Sequence, residues 1–589
     1  MDRVDAEFPL VRVPAHLKQF VVDQNYAKYT PIDQAVWRYV MRQNSSFLGK
    51  RAHKSYLDGL RTSGIEIEQI PDVTKMNESL AKIGWGAVTI DGFIPAVAFF
   101  DFQAHGLLPI ACDIRTYDHI AYTPAPDIIH EAAGHCPIIL DEKYRSYLKL
   151  FGDIGSRAMS SREDYEVYEA IRLLSIVKED PSATEEEIRA AEEDLERKIQ
   201  AVTEVSEAAE LARLYWWTVE YGLIGDVDDP QIYGAGLLSS VGESMSCLQA
   251  DVKKIPFSLK ACIETDFDIT KPQPQLFVCK DFDELIDAVK EFAKTMAVSV
   301  GGTPSLIKAL KMGQTSTSVY SSGLQVSGIV TKLEYDSSGE AVYLNTTGPT
   351  ALAVGDRELP GHGKAYHSEG FGSPIGLLAG VDTPLEDFTD EQLSAAGLIL
   401  GQSAKLAFAS GIIVTGNVAY IHRENGKVVL IGFDQCSVTY GEQTLFRAEW
   451  GTYDMAVGAK IVSVFAGAAD REKFESGTHQ PSATSLKRPT YTEEQKVLHT
   501  LYQQVRDLRE GSPSTAELER QLTGILLKLD ESYPADWLLR LEILELLVQY
   551  NLLYAKQMQI RQQLAALSAN EEVGQLIHNG LALLQESAA

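Results

Sequence analysis

The sequence predicts a multidomain protein: a mainly α N-terminal region, a small β-rich domain and a helical C-terminal region. The chain has 589 residues, which is too long for a single hydrophobic core. Its apolar content of 45% is typical of globular folding. The pattern of apolar residues changes twice along the chain, and these changes place the three regions at residues 1–310, 316–470 and 490–589.

The N-terminal region contains the residue types of a metal site. His130 and His135 stand in the segment His-Glu-Ala-Ala-Gly-His, and Glu220 ends the later segment Tyr-Trp-Trp-Thr-Val-Glu. Two imidazoles and one carboxylate can occupy one face of an octahedral ion and leave the other positions open, as non-haem Fe(II) oxygenases require. No cysteine cluster offers the tetrahedral N/S ligands that zinc usually prefers.

The spacing of the two histidines excludes a zinc protease motif. His-Glu-x-x-His places its histidines at i and i+4 on one helix face, whereas His130 and His135 are at i and i+5. On an uninterrupted α-helix their side chains would point roughly 140° apart, given about 3.6 residues per turn. Glycine, here Gly134, is common at the C-terminal end of a helix, and a proline such as Pro137 cannot continue one. We therefore expect a helix that ends between the two histidines.

Three long segments, in the same order as in the family, resemble the pterin-dependent aromatic amino acid hydroxylases. The resemblance extends over about residues 60–300 and is carried by residues 122–137, 215–223 and 233–243. It implies that residues 1–310 form a mainly α catalytic domain of the aromatic amino acid hydroxylase type. It also implies that Fe(2+) is held by His130, His135 and Glu220, and that a tetrahydropterin (tetrahydrobiopterin or a related pterin) is the co-substrate.

The resemblance further implies a site for a free aromatic amino acid. Arg115 matches the family arginine that binds the carboxylate of the amino acid, a role that suits the two parallel donors of a guanidinium. The other matched substrate positions are Thr123, Pro126, Trp216, Tyr221, Gly236 and Ser239. The matched pterin positions are Gly92, Ile94, Phe99, Glu131, Ala212 and Tyr215.

The implied reaction is ring hydroxylation of L-phenylalanine to L-tyrosine with O2 and tetrahydropterin. Trp216 disfavours tryptophan as the substrate, since the tryptophan hydroxylases of the family have Phe at this position. Two alternatives stay open: a hydroxylase of tyrosine, tryptophan or another aromatic substrate, and a non-catalytic binding or scaffold protein on the same fold.

Residues 160–208 are expected to be an insertion, because the interval between His135 and Glu220 is about twice that expected for the family. The segment contains a helix-capping signature, Ser182-x-x-Glu185, before a stripe of apolar residues. We expect an acidic helical hairpin at the surface, which a loop can tolerate. It could also serve as a lid or as a subunit contact.

The β-rich region is predicted from alternating apolar residues and from turn signals. Asn425-Gly426 between two β-rich runs favours a hairpin, and Asp336-Ser-Ser-Gly339 indicates another turn. A barrel and a sandwich are both compatible with this pattern. The region contains His362 and His367, but the sequence shows no third ligand, so we expect ordinary surface or core histidines.

The C-terminal region is predicted to form helical hairpins. Ser514-x-x-Glu517 caps an apolar stripe that runs from Leu518 to Leu529. A second stripe, with Trp537 near its start, follows Pro534. These apolar faces require partners, and we expect them to pack on the main body of the protein or on a second copy in a homo-oligomer.

The composition limits the classes of partner. The net charge of −29 would repel nucleic acid and anionic membranes. The N-terminus is charged and has no apolar signal core, and the longest apolar stretch, residues 397–415, contains Gln402 and Lys405. We expect small-molecule partners (an aromatic amino acid, a pterin and O2), no nucleic acid, no membrane and a cytoplasmic location.

Overall fold

The structure is a computed structural model that describes residues 12–92, 94–121, 126–179, 183–268, 271–475 and 491–586. Its N-terminal region is mostly helical, as the sequence predicts, and two short sheets support the helices. The helices are α1 Pro31–Arg51, α2 Tyr56–Thr62, α3 Val73–Leu80, α4 Ala96–Ala104, α5 Glu142–Gly155, α6 Arg162–Glu179, α7 Glu185–Ala201, α8 Glu207–Tyr215, α9 Ala235–Ser239, α10 Glu243–Ser246, α11 Leu259–Glu264, α12 Phe282–Ala293, α13 Ala297–Val300 and α14 Gly302–Met312. The strands are β1 Gly86–Ile90, β2 Leu107–Ala111, β3 Leu223–Gly225, β4 Pro230–Ile232, β5 Lys253–Pro256 and β6 Gln275–Cys279.

Along the chain, the segments that carry the predicted site lie between the strands of the two sheets. Strands β1 and β2 pair in parallel, and the second sheet has the order β4-β3-β6-β5. Two π-helical segments, Ile129–His135 and Trp216–Glu220, lie between these elements. Strand β3 begins three residues after the second π-helical segment, so the sheet fixes the end of that segment.

Helices α6 and α7 form the helical hairpin that was expected in residues 160–208. Their contact has a small apolar core of its own, made by Ala170, Leu174, Ala191 and Leu195. The helix cap differs from the expectation. Thr184 caps α7 in a capping box with Glu187, because its hydroxyl oxygen accepts the amide of Glu187 and the Glu187 carboxylate accepts the amide of Thr184. Ser182 lies outside the described residues.

The β-rich region contains two antiparallel sheets, which corresponds to the sandwich alternative. Its strands are β7 Thr315–Tyr320, β8 Leu324–Tyr335, β9 Ala341–Val354, β10 Arg357–Glu358, β11 Gly370–Pro374, β12 Ser403–Ala407, β13 Ile412–Glu424, β14 Lys427–Tyr440, β15 Gln443–Phe446, β16 Tyr453–Ala456 and β17 Ile461–Ala466. The first sheet has the order β10-β9-β8-β7-β17 with β11 beside β9, and the second has the order β12-β13-β14-β15 with β16 beside β14. Apolar side chains from both sheets share one core, for example Leu344 and Leu430. Two short helices belong to this region, α15 Asp390–Ala395 and α16 Arg471–Phe474.

The C-terminal helices pack on the main body, which was one of the two expected arrangements. They are α17 Glu493–Glu510, α18 Thr515–Ser532, α19 Leu538–Gln549, α20 Tyr554–Leu567 and α21 Glu571–Glu586. Their apolar faces join those of the N-terminal helices in one continuous core. Tyr39 on α1 donates a hydrogen bond to the carbonyl of Leu576 at 2.6 Å, and its ring meets Trp537 edge-on at 5.2 Å. In the described part of the chain, no helix combines the length and apolar character that crossing a bilayer needs.

Candidate active site

The two predicted histidines lie on a π-helical segment that continues through Gly134. The expectation that the helix ends between them is therefore wrong. A π-helix closes its hydrogen bonds between residues i and i+5, so residues five apart lie above one another instead of pointing apart. Gly134 matters for packing instead, because a Cβ atom there would lie 2.6 Å from the carbonyl oxygen of Ala235. The missing side chain lets α9 approach the histidine segment closely.

His130, His135 and Glu220 converge in space. The Nε2 atoms of the two histidines are 3.2 Å apart. Glu220 places one carboxylate oxygen 3.2 Å from Nε2 of His135 and the other 3.3 Å from Nε2 of His130. Glu220 ends the second π-helical segment, so both sides of the cluster come from the same unusual helical form. The three donor groups point at one common position between them.

The electrostatics of the cluster fit a bound cation. His135 and Glu220 are buried, and among the described residues Nδ1 of His135 has no hydrogen-bond partner. Burial opposes the charged form of both Glu220 and His130. Even so, the histidines hold the pKa of Glu220 below its ordinary range, and Glu220 raises the pKa of His130 to about 9. Without a metal, the imidazoles balance the negative charge of the Glu220 carboxylate. A bound cation would balance that charge instead.

A second buried carboxylate, that of Glu131, lies beside the cluster. Its Oε2 atom is 3.9 Å from Nε2 of His135 and has no hydrogen-bond partner within the described ranges. Burial raises the pKa of Glu131. Glu220 is closer to both histidines, so it is the better third ligand. Glu131 remains an unsatisfied acceptor at the edge of the site.

Ser239 orients His130. Its hydroxyl donates to the carbonyl of Ala235 at 2.8 Å, and its oxygen lies 3.1 Å from Nδ1 of His130. The hydroxyl oxygen therefore accepts the Nδ1–H of the imidazole. This tautomer leaves the Nε2 lone pair of His130 free to bind a metal, an effect of outer contacts that is common at metal sites.

Arg115 reaches the site, and one side of its guanidinium is already paired with a buried carboxylate. Its Nε and Nη2 atoms donate to the two carboxylate oxygens of Asp127 at 2.8 and 2.9 Å. Both side chains are buried. Asp127 thus occupies the Nε/Nη2 side of the guanidinium; binding of the amino acid carboxylate by Arg115 stays a prediction, because further N–H donors remain on Nη1 and Nη2. The remaining Nη1 atom lies 3.5 Å from the carbonyl of Ser239, on the side of the histidine cluster.

Aromatic rings form a stack next to Glu220. Trp216 stacks on Tyr221 with ring centroids 4.7 Å apart, and on Phe267 at 4.4 Å and an interplanar angle of 13°. Tyr221 donates to Glu243 at 3.0 Å, which fixes its ring. A side chain at Gly236 would meet the Tyr221 ring at 3.0 Å. This is a flat apolar wall of the kind that holds an aromatic ring.

The predicted pterin residues group around α4 and α8. The Phe99 ring is half-buried and contacts the ring of Tyr215 at a centroid distance of 5.9 Å, whereas the neighbouring Phe100 and Phe102 are buried in the core. Gln103 donates to the hydroxyl of Tyr215 at 2.8 Å. Among the other predicted positions, Gly92 and Ile94 lie on the segment between β1 and α4, and Ala212 is exposed on α8, one turn before Tyr215.

Two predicted substrate residues receive little structural description. Thr123 lies outside the described residues, and Pro126 is half-buried immediately after that gap. Sequence reasoning also missed three residues that shape the site, namely Asp127, Glu243 and Phe267. Asp127 and Glu243 stand inside the matched segments, so their buried acidic character was a usable signal. No sequence signal pointed to Phe267.

Taken together, the paired imidazoles and the carboxylate are the ligand set of the non-haem iron oxygenase class. Comparison with known proteins narrows this class. Residues 20–168 and 199–301 match the family model for biopterin-dependent aromatic amino acid hydroxylases. The unmatched stretch between them falls inside the predicted insertion, and the match ends at residue 301.

Curated relatives agree with the family match. The chain is 29% identical over 272 residues to the phenylalanine-4-hydroxylase of Mesorhizobium japonicum, a match that covers 46% of this chain and 82% of the relative. It is 29% identical over 271 residues to the phenylalanine-4-hydroxylase of Chromobacterium violaceum, covering 46% and 76%. A solved structure of the Chromobacterium violaceum enzyme with bound oxidized Fe(III) is 28% identical and covers 46% of this chain and 83% of that one, with a TM-score of 0.37. Over residues 20–168 and 199–301, which are less than half of the chain, this protein is similar to the biopterin-dependent aromatic amino acid hydroxylases, and the match supports a pterin-dependent monooxygenase.

Proposed function

We propose that this protein hydroxylates the ring of free L-phenylalanine to give L-tyrosine, with O2 and a tetrahydropterin as co-substrates and Fe(2+) as the metal. The observation that carries the proposal is the approach of His130, His135 and Glu220 to within 3.2–3.3 Å of one another. Donors this close, two of them nitrogen and one oxygen, fit a single divalent iron. When both are bound at this site, the iron and the pterin would activate O2 and provide the electrons that the reduction of O2 requires.

The protein residues bind and orient the reactants in this proposal. The Nη1 atom of Arg115, which has only a long 3.5 Å contact with the Ser239 carbonyl, binds one oxygen of the amino acid carboxylate, and the wall of Trp216 and Tyr221 holds the ring. Phe99 and Tyr215 offer the aromatic surface for the pterin. The π-helical segments are buried apart from His130 and Trp216, which are half-buried, and this burial excludes water from the metal side. No side chain needs to act as a nucleophile.

Phenylalanine is favoured over the other aromatic amino acids for two reasons. The relatives reported above are phenylalanine-4-hydroxylases. Trp216 is the residue type that the resemblance associates with phenylalanine or tyrosine as substrate. Formation of a homo-oligomer through the C-terminal helices is a separate question and stays a prediction. Light scattering of the full-length protein tests it.

The direct test is product analysis with Fe(2+)-loaded full-length protein. Phenylalanine, tyrosine and tryptophan are supplied separately, each with and without tetrahydropterin. We expect tyrosine from phenylalanine only when the pterin is present. Turnover without pterin would reject the co-substrate. An iron-replete protein that hydroxylates none of the three amino acids would favour the scaffold alternative.

Two matched variants test which carboxylate binds the metal. Glu220→Gln should fold normally and lose bound iron, because the amide is a far weaker ligand than the carboxylate. Glu131→Gln, at the neighbouring buried carboxylate, should keep its iron and raise the KM for pterin. Iron content is measured by elemental analysis and folding by circular dichroism. If Glu220→Gln keeps its iron and Glu131→Gln loses it, Glu131 and not Glu220 is the third metal ligand.

A further inference from the structure

A second group of metal-ligand residue types lies in the β-rich region, far along the chain from the first. His362 and His367 stand on the segment between β10 and β11, and Asp454 stands on β16. From the sequence we expected ordinary histidines, because no third ligand was evident. The structure supplies a third group that the sequence did not indicate: Asp454, on the strand that pairs with β14, lies beside the two imidazoles.

The three side chains approach one another as ligands do. Nδ1 of His362 is 3.3 Å from Nε2 of His367, and this Nε2 atom is 4.0 Å from Oδ2 of Asp454. All three donor atoms lie within 4.8 Å of one another. An ion bound at about 2.0–2.2 Å from each donor separates the donors by about 3–3.5 Å. The histidine pair already has this separation, and Oδ2 of Asp454, at 4.0 Å from Nε2 of His367, lies about 0.5–1 Å beyond it.

The surrounding backbone holds the two histidines in place. The carbonyl of His362 accepts a hydrogen bond from the amide of Leu352 at 2.9 Å, and the carbonyl of His367 accepts one from Thr350 at 3.0 Å. Both donors belong to β9, so the loop is tied to a central strand at each histidine. The His367 ring is further packed edge-on against Phe371, with centroids 5.4 Å apart. The imidazoles are therefore positioned before any ion binds.

Asp454 is oriented by a residue behind it. The hydroxyl of Tyr420 donates a hydrogen bond to Oδ1 of Asp454, which leaves Oδ2 facing His367. Space for the Tyr420 ring exists because its neighbour on β14 is Gly432, where a Cβ atom would lie 2.1 Å from the ring. A carboxylate whose second oxygen is held by a hydroxyl is a common arrangement around metal ligands.

The charges of the cluster are unbalanced without a cation. Asp454 and His367 are 5% and 7% exposed, and in the described part of the chain the ion pairs of Asp454 include no lysine or arginine. A divalent cation between Oδ2 of Asp454 and the two imidazoles would supply the positive charge that this buried carboxylate lacks.

The cluster is also accessible. Tyr366 is 56% exposed and its ring contacts both imidazoles, with centroids 4.8 Å from His367 and 5.5 Å from His362. His362 itself is half-buried. Solvent therefore reaches the cluster on the side of His362.

We propose that His362, His367 and Asp454 form a second metal site, which binds a divalent first-row transition-metal ion with one position open to solvent or to a ligand. Two nitrogen donors and one oxygen donor are the ligand types that Zn(2+) accepts in open sites. The site is separate from the proposed iron site and does not depend on the proposed function.

Metal stoichiometry tests the proposal. Metal-free full-length protein is titrated with Zn(2+), freed of loose metal by desalting, and analysed for bound zinc. We expect two equivalents in the wild type and one in His367→Gln and in Asp454→Asn. Glu220→Gln should also bind one equivalent, and the Glu220→Gln/Asp454→Asn double variant none. Because the two sites are removed by different substitutions, failure of one assignment is distinguishable from failure of the other.

Further variants complete the test. His422→Gln is the matched control, since His422 lies on β13 of the same region and pairs with Glu424 at 3.0 Å instead of joining the cluster. It should keep two equivalents. Tyr420→Phe should keep the site but weaken zinc binding by about 10–100-fold. If circular dichroism shows that His367→Gln is misfolded, the zinc stoichiometry of His362→Gln is measured instead, because His362 is only half-buried. We expect one equivalent in that variant as well. Wild-type protein that binds one equivalent, lost only in Glu220→Gln, would overturn the proposal.

Discussion

At the scale of single residues, the buried pair of Arg115 and Asp127 limits which guanidinium atoms are available to the proposed amino acid substrate. Asp127 accepts two donors from the guanidinium and also the backbone amide of His130 at 2.9 Å. Arg115 holds the pKa of this carboxylate below its ordinary range, against the opposing effect of burial. The pair therefore connects the substrate side of the site to the first histidine.

We expect Asp127→Asn to lower the free energy of unfolding by about 3–5 kcal/mol, because it leaves a buried guanidinium without its counter-charge. Urea denaturation followed by circular dichroism measures this change. The matched control is Asp390→Asn, whose side chain is 89% exposed and pairs with Arg423 at 2.9 Å. It should change stability by less than about 1 kcal/mol. Equal effects of the two substitutions would contradict the structural role of Asp127.

At the scale of elements, the π-helical segment and α9 act as one unit. Gly134 lets the backbone of α9 come close, and Ser239 at the end of α9 returns to orient His130. A regular α-helix through residues 129–135 would place the two histidines on different faces. The wider helix and its close neighbour together set the distance between the two Nε2 atoms.

We expect Gly134→Ala to destabilise the protein by about 1–3 kcal/mol and to weaken iron binding, since the new methyl group collides with the Ala235 carbonyl. Denaturation and iron titration measure the two effects. The control is Gly524→Ala in α18, where a Cβ atom meets nothing within 4 Å. That substitution should stabilise the helix by about 0.5–1 kcal/mol. Undiminished iron affinity in Gly134→Ala would show that the close approach of α9 is not needed.

At the scale of the whole molecule, the C-terminal helices complete the core of the hydroxylase region. Trp537, at the start of α19, is almost fully buried, and its ring contacts Tyr39 on α1 and Tyr117, two residues after Arg115. Charged groups reinforce the contact, because Arg38 on α1 pairs with Glu542 and Glu545 on α19. Stability of the site region and of the C-terminal helices is therefore coupled.

We expect Trp537→Ala to lower the free energy of unfolding by about 3–5 kcal/mol, as large core truncations do. The matched control is Trp450→Ala, because Trp450 is 61% exposed. It should change stability by no more than about 0.5 kcal/mol. Hydrogen exchange of the segment around Arg115 is the second measurement: it should quicken in Trp537→Ala alone. Unchanged exchange there would show that the two regions unfold independently.

The sequence by itself determined the features that local chemistry encodes. Asn425 and Gly426 both adopt positive φ in the predicted hairpin between β13 and β14, because that turn demands residues tolerant of it. Ser514 caps α18 through the amide of Glu517, as their spacing predicts. The matched segments also indicated the resemblance to the hydroxylase family and the proposed ligand residues, since those motifs are continuous in the chain.

Only the tertiary structure decided which distant groups meet. Three features depend on packing between elements that are far apart in sequence. They are the π-helical form, the pairing of Arg115 with Asp127 and the position of Asp454 beside two histidines. Hydrophobic periodicity reports which face of an element is buried but not which partner buries it. For that reason the proposed iron ligands could be named from the sequence, whereas the geometry that joins them, and the acidic partner of the second histidine pair, could not.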